Sequence, residues 1–433
     1  MKVLVLGAGL IGVTTAYRLA EDGHQVTVID RREGPALETS YANGGQLGAC
    51  EVAPWAGPEV PGLVLRWLGR PDAPFRLRPK MDPAQWRWLW QFLRCCRASK
   101  RADSAADNLR LALLSRREFD RLHRQPAEPD ASRQSSEPDL AFDFQDQGIL
   151  RVFRTSKTLD RAIAALSDDA LRRLEQYEAT ASDCVDIEPA LAAAYQQGKI
   201  AGGIYSPGDR SGDAHLYTKA LAARAAERGV LFRYGVTAIN FKTEGNKLIG
   251  VRTSHGILIS EVVVASAGVP SVEIMAKLGL SLPIYPVKGY SVTLPANQTG
   301  APKISIADEN RRLVISRFGG RLRAAGLADV GDDDLTLDET RGRSVLAALQ
   351  QLFPEGGDAG HARFWCGLRP MTPDGRPLIG WAGTWSNLIL NTGHGSLGWT
   401  LAHGSAALVA DLIAGRQPAV PLDPFRPNRW GRP

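Results

Sequence analysis

The chain has 433 residues, 44% of them hydrophobic and 23% charged, which provides for two or three buried cores and excludes both a disordered chain and a small stapled fold. A net charge of +6 is mild for this length and does not by itself suggest nucleic-acid binding. The five cysteines, Cys50, Cys95, Cys96, Cys184 and Cys366, have neither metal-ligand spacing nor a disulfide framework, so a reducing compartment is expected. No apolar run approaches the roughly 20 residues that span a bilayer, and neither a secreted nor an integral membrane protein is expected. The 44 glycines are about a tenth of the chain, above the usual share of about 7%, as when backbone runs close to a ligand.

The opening KVLVLGAGLIGVTTAYRLAEDGHQVTVIDRR predicts strand, glycine turn, helix and second strand. Val3, Leu4, Val5 and Leu6 form the continuous apolar run of a parallel strand covered on both faces. The helix over 14–20 ends at Gly23, and strand two covers 25–30. Residues 39–61 are rich in Gly, Ala and Pro. A helix around 105–122 sets Leu109, Ala112, Leu113 and Phe119 on one face, and 126–139 reads as a loop rich in Pro, Ser and acid. Asp213 is a good N-cap for a helix that runs into a strand at 230–234. Short strands follow at 248–252, 256–259 and 262–265, the first two hairpin-like, then antiparallel strands at 284–294 and 312–325. The last hundred residues add a strand at 387–390 and a helix after a glycine turn.

Charge is unevenly spread. Between Arg66 and Arg101 there are ten Lys and Arg against two acids, Asp72 and Asp82, and five of the ten tryptophans fall between Trp55 and Trp90. Tryptophan interleaved with arginine suits an anionic membrane surface, while Trp86 and Trp90, four residues apart, also suit the core face of an ordinary helix.

Gly7, Gly9 and Gly12 make GxGxxG between a strand and a helix, where the turn tightens, backbone can approach a pyrophosphate and a helix N-terminus faces its charge. Asp30, eighteen residues after Gly12, can accept both ribose hydroxyls; Arg31 and Arg32 would suit a 2′-phosphate, which Asp30 would repel. The fingerprint does not separate NAD from FAD. Two distant segments favour FAD. The strand VVVASAG ends at the small residues Ala267 and Gly268, which let a second backbone segment close over the cofactor. LILNTGHGSLGWT turns at Gly393, Gly395 and Gly398 into a helix whose N-terminus suits the flavin N1 and C2 carbonyl. Each also reads as a plain turn.

The pieces GAGLIGVTTAYRLAEDGHQVTVIDR, ALETSYANGGQ, PVKGYSVTLP, WCGLRPMTPDGRPLIG and NTGHGSLGWT, in that order, resemble the D-amino-acid oxidase-like family of FAD-dependent oxidoreductases over nearly the whole chain. The resemblance implies an α/β fold in which a discontinuous Rossmann-like FAD-binding domain covers 1–90, 205–283 and 362–433. A substrate domain on a mixed, largely antiparallel sheet then covers 91–204 and 284–361. It implies FAD and no metal. It also implies oxidative deamination of D-amino acids to 2-keto acids and ammonia by hydride transfer from Cα to flavin N5, with electrons passed to a quinone in the dehydrogenase branch. The place expected is the cytoplasm, with the cytoplasmic face of the inner membrane as one option.

Carried onto this sequence, the family's cofactor contacts fall on Gly7, Gly9, Leu10, Ile11, Gly12, Asp30 and Arg31, and on the polar loop Thr39, Ser40, Asn43, Gly44, Gly45 and Gln46 beside ribityl and isoalloxazine. Val236 would offer backbone to adenine. Ala267, Gly268, Gly393, His394, Gly395, Ser396, Leu397, Gly398, Trp399 and Thr400 complete the set. Some relatives tether flavin near Cys366, but Gly367 occupies the corresponding position, so dissociable FAD is expected. Arg369 in GLRP is the chosen fork for a substrate carboxylate, with Arg317 and Arg323 as alternatives. Tyr290 is expected to add a hydroxyl there or cover the pocket, unless it is a core aromatic of its strand. Lys288 would polarise the flavin or orient a water, unless it is a solvated strand lysine. Other readings on the same residues are an enzyme of D-proline, D-hydroxyproline, glycine or sarcosine, a non-catalytic flavin electron-transfer subunit, and an NAD dehydrogenase.

Overall fold

The computed structural model describes residues 1–67, 70, 73–124, 140–166 and 174–431, so the expected loop at 126–139 and part of the basic, tryptophan-rich segment lie outside the described residues. Two large sheets organise the chain. The first runs in the order Leu378–Trp381, Leu388–Thr392, Val262–Ala265, Lys2–Leu6, Gln25–Ile29 and Leu231–Arg233. All its pairings are parallel except that of the edge strand Leu378–Trp381. Val3, Leu4, Val5 and Leu6 are fully buried, as a strand covered on both faces requires. Leu6 pairs with Ala265 on one side and Ile29 on the other, which brings Gly7, Ser266 and Asp30 out at one carboxyl edge, where open α/β sheets bind ligands.

Helices Leu10–Glu21, Ala214–Glu227 and Gly398–Ala414 cover this sheet and share its core. Asp213 caps the second of them as expected, its Oδ1 accepting from the N–H groups of His215 at 3.0 Å and Leu216 at 3.4 Å. The helix expected at 105–122 spans Ala98–Arg124, but its buried face differs: Leu111 and Leu114 are buried beside Ala112 and Phe119, and Leu113 is 36% exposed. The reason is its close crossing with Gly398–Ala414, where a Cβ on Gly404 would stand 2.6 Å from Leu111 O.

The second sheet runs Arg363–Met371, Tyr285–Pro295, Arg321–Val330, Leu313–Phe318, Ser305–Asp308, Ile149–Phe153, Gly202–Ser206 and Tyr177–Thr180, with Phe75–Leu77 beside Arg321–Val330. It is antiparallel except where Ser305–Asp308 meets Ile149–Phe153 and where Phe75–Leu77 joins. The single strand expected at 312–325 is a hairpin of two, turning at Gly319 with φ +55°. Phe75–Leu77 and Arg363–Met371 lie in this sheet although their residues fall in ranges expected of the FAD-binding domain, so the chain crosses between layers more often than the expected partition has it.

The helix Pro83–Cys95 buries Trp88, Phe92 and Cys95, whereas Trp86 and Trp90 are 52% and 57% exposed, so those two are not its core face. Among the described residues no helix is long and apolar enough to cross a membrane, no group of side chains could hold a metal ion, and the five cysteines are free.

Candidate active site

A cavity of about 2200 Å³ is lined on one side by the turns at the carboxyl edge of the parallel sheet and on the other by strands of the second sheet. At its nucleotide end Gly7 has φ +106°, and a Cβ there would stand 2.7 Å from Ser266 O. Gly12 does not line the cavity; a Cβ on it would overlap Gly7 O, so its role is to let the helix lie on its own turn. Gly9, Leu10 and Ile11 do line it, and Leu10 N–H donates to Ser40 Oγ at 3.2 Å.

Asp30 accepts from the N–H groups of Ala8 at 2.7 Å and Arg32 at 2.8 Å, while burial raises its carboxyl above the usual range. Arg31 and Arg32 both pair with Glu38 at 2.7 Å, which lowers the positive potential that a 2′-phosphate would need. Val236 lines the cavity, but its N–H is already donated to Asp30 O at 2.8 Å, so only its carbonyl is left to meet a base.

At the other end of the parallel sheet's edge, Gly393 and Gly395 turn through φ +78° and +55° into the helix Gly398–Ala414. Leu401 N–H makes the first bond of that helix, to Leu397 O at 3.0 Å, so the N–H groups of Gly398, Trp399 and Thr400 precede it. Ser396 and the rest of residues 393–400 line the cavity. The Trp399 ring packs instead against Tyr217, centroids 6.0 Å apart, so this residue offers backbone. His394 lies 2.9 Å from Ser405 Oγ, and burial pushes its imidazole down to about 3: it ties the turn to the helix as a neutral ring and is not a base. Ala267 and Gly268 line the same end, the latter at φ +61°.

The loop facing this end is held from outside. Thr39 Oγ1 donates to Leu368 O at 2.8 Å, Asn43 Oδ1 accepts from Gly45 N–H at 3.1 Å, and Gln46 Nε2 donates to Ser305 Oγ at 3.0 Å. A Cβ on Gly44 would stand 2.8 Å from Val314 Cγ1. The site fits a dinucleotide. Beyond the glycine cradle and the helix N-terminus, Ser266 Oγ and Asn391 Oδ1 are buried on the cavity wall without a protein partner.

Where the cavity meets the second sheet stands Arg369. Its Nη1 donates to Leu327 O at 2.9 Å and its Nη2 to Gly326 O at 3.4 Å, and Trp55 lies 5.4 Å from the guanidinium carbon. Among the described residues no carboxylate pairs with it, and burial pulls the guanidinium down to about 10. The alternatives are otherwise engaged. Arg323 is buried on Asp213 at 3.3 Å, Arg317 donates to Gly319 O at 3.0 Å, and neither lines the cavity.

Two expectations need correction. Tyr290 lines the cavity, but its hydroxyl donates to Asp329 Oδ2 at 3.0 Å rather than standing ready for a carboxylate. Lys288 neither faces the cavity nor is solvated: its Nζ is buried on Asp332 at 2.9 Å and Asp334 at 3.0 Å. Trp55, Gly289 and Asp329 were missed. Trp55 was visible as one of the clustered tryptophans; nothing in the local sequence marks the other two. Cys366 also lines the cavity, its thiol donating to Leu335 O at 3.3 Å.

Residues 2–412 match the family described as FAD dependent oxidoreductase, and the chain belongs to it. It is an FAD-dependent oxidoreductase of mixed α/β fold. D-amino acid dehydrogenase from Paramagnetospirillum magneticum is 46% identical over 432 residues, 99% of each chain. The protein of the same name from Granulibacter bethesdensis is 42% identical over 425 residues, 97% of each. Among solved structures, glycine oxidase from Geobacillus kaustophilus superposes with a TM-score of 0.72 at 23% identity, covering 99% of this chain and 98% of that one. L-proline dehydrogenase from P. horikoshii gives 0.73 at 20% identity, with 99% and 97% covered. These two likenesses show the shared fold.

Proposed function

We propose that the chain deaminates D-amino acids oxidatively to 2-keto acids and ammonia and passes the electrons to a quinone-type acceptor. The observation that carries this reading is Arg369, a cation in the cavity held by two carbonyls and left without a carboxylate. A guanidinium fork so held suits a bidentate α-carboxylate. The likeness to relatives named D-amino acid dehydrogenase supports the substrate class.

When bound, FAD supplies the acceptor for the hydride leaving Cα. The turn 393–395, the N–H groups of residues 398–400, Asp30 and the loop at 39–46 would hold it. The chain's own contribution is positioning: Arg369 fixes the carboxylate, Trp55 covers the guanidinium, and His394, buried as a neutral ring, would add no charge to the cofactor's surroundings. No general base is needed for an amine that enters neutral, and the imine hydrolyses afterwards.

The exposed Trp86, Trp90 and Leu93, with Arg94 4.5 Å from the Trp90 ring, support peripheral contact with an anionic membrane, where a quinone resides. Val60, Leu63 and Arg66 of the helix Val60–Trp67, which has no fully buried residue, border the cavity and suit an approach from that side.

Anaerobic bleaching of the yellow protein by a panel of D- and L-amino acids, followed by re-oxidation with quinone or oxygen, tests the reading. D-isomers should bleach it with release of ammonia. Bleaching confined to glycine, sarcosine or proline would move the substrate to those amines, and no bleaching by any would leave an electron-transfer subunit.

A further inference from the structure

Arg369 reaches two successive carbonyls of one strand, those of Gly326 and Leu327. Successive carbonyls of a regular strand point to opposite sides, so one guanidinium cannot meet both unless the strand is broken between them. It is broken there. Lys288 pairs with Asp329 and Tyr290 with Gly326, so the two residues Leu327 and Ala328 stand opposite the single Gly289, a bulge of one residue. At the bulge Leu327 has φ +57°, the left-handed region that glycine enters freely and leucine at a cost.

The partner strand is shaped to match. A Cβ on Gly289 would overlap the Arg369 guanidinium, so the fork passes over this glycine to reach the bulge. Asp329, whose charge acts on Arg369 from a distance, is held by Arg341 at 2.6 Å, by Arg76 and by the Tyr290 hydroxyl, and makes no hydrogen bond or ion pair with the fork.

We propose that the left-handed bulge at Leu327 is the positioning device of the carboxylate site: it turns two neutral carbonyls onto Arg369, which orients the cation while leaving its charge for the substrate. A backbone left-handed at this point is the requirement, and the leucine side chain is not. This inference rests on the assignment of Arg369 as carboxylate anchor and names the residue that sets its aim.

The test is a substitution series at position 327, read by titrating FAD-loaded protein with benzoate, a carboxylate without an amine, and following the flavin absorption. Flavin content and melting temperature are measured alongside. If backbone geometry matters, affinity ranks by tolerance of the left-handed region: Leu327→Gly and Leu327→Asn bind benzoate most tightly, Leu327→Ala more weakly, and Leu327→Val weakest, by about tenfold or more. KM for the amino acid should follow the same order while kcat moves less. A ranking by apolar bulk, with Leu327→Val best and Leu327→Asn worst, or no ranking at all, overturns the proposal. Should Leu327→Val fail to retain flavin, the comparison of Asn with Ala decides it alone. Arg369→Lys is the control on the underlying assignment. If it leaves benzoate binding unchanged, the anchor itself is misassigned; if it weakens binding and the series shows no order, only the bulge is refuted.

Discussion

Arg369 is a half-buried cation whose guanidinium donates to two backbone carbonyls and, among the described residues, makes no ion pair with a carboxylate. Replacing it by lysine keeps a charge but loses the fork, so Arg369→Lys should retain FAD and lose turnover. Truncating one partner of such a pair costs about 2 to 5 kcal/mol, roughly 30-fold to several thousandfold in rate or affinity. Unaltered kinetics in the variant would remove it from the substrate site. The two buried histidines predict a pH effect of definite sign. Burial depresses His394 and His403 to about 3, from an ordinary value of 6.5. Their unfolded forms therefore take up protons first: the contribution to stability is complete above about pH 6.5 and is lost as pH falls toward 3. Each should add about 1.4 kcal/mol per pH unit to the slope within that window. Denaturant unfolding at several pH values checks this, and His403→Gln, which removes the ring facing Tyr217 at 2.7 Å, should flatten the curve; an unchanged slope sinks the account.

The opening βαβ unit was legible in the sequence because everything that specifies it is local: an apolar run, three glycines and an acid at the end of strand two. Its glycines separate in effect. A Cβ on Gly9 meets only Ser40 Oγ at 3.7 Å, whereas one on Gly12 overlaps backbone. Gly9→Ala should fold normally and bind FAD less tightly, while Gly12→Ala should lose about 1–3 kcal/mol or more of stability together with the flavin. Equal melting temperatures for the two would contradict this. The roles of Tyr290 and Lys288 were not legible, since Asp329 and Asp332 reach them from another strand and its following loop, about forty residues along the chain. The core face of the helix Pro83–Cys95 was left open by the sequence for a different reason. A period near four fits two faces, and only the neighbouring sheet selected Trp88 and Phe92 for the core. If the other face meets lipid, Trp86→Ser with Trp90→Ser should abolish co-sedimentation with anionic vesicles at low salt and leave bleaching by amino acid intact. Vesicle binding unaffected by the pair would return this surface to solvent.

At the scale of the molecule, the two-sheet plan came from the family resemblance, and the number of crossings between sheets did not, because a strand such as Arg363–Met371 reads alike in either sheet. That strand touches nearly everything. Val287 pairs with Arg369, Met371 bridges His394, Pro370 O accepts from Gly395 N–H at 3.0 Å and Leu368 O from Thr39. Loss of flavin and loss of tertiary structure should therefore coincide on heating, which flavin and tryptophan fluorescence recorded together will check. On the proposed assignment the same strand acts as a gauge block: four consecutive residues, 368–371, carry the substrate anchor and three contacts to the cofactor's surroundings, so the gap between them is set by covalent geometry and not by closure around each ligand. Substrates with different side chains should then differ widely in KM yet show one common deuterium isotope effect at Cα on flavin reduction, as pieces of different shape cut on one jig share the same step height.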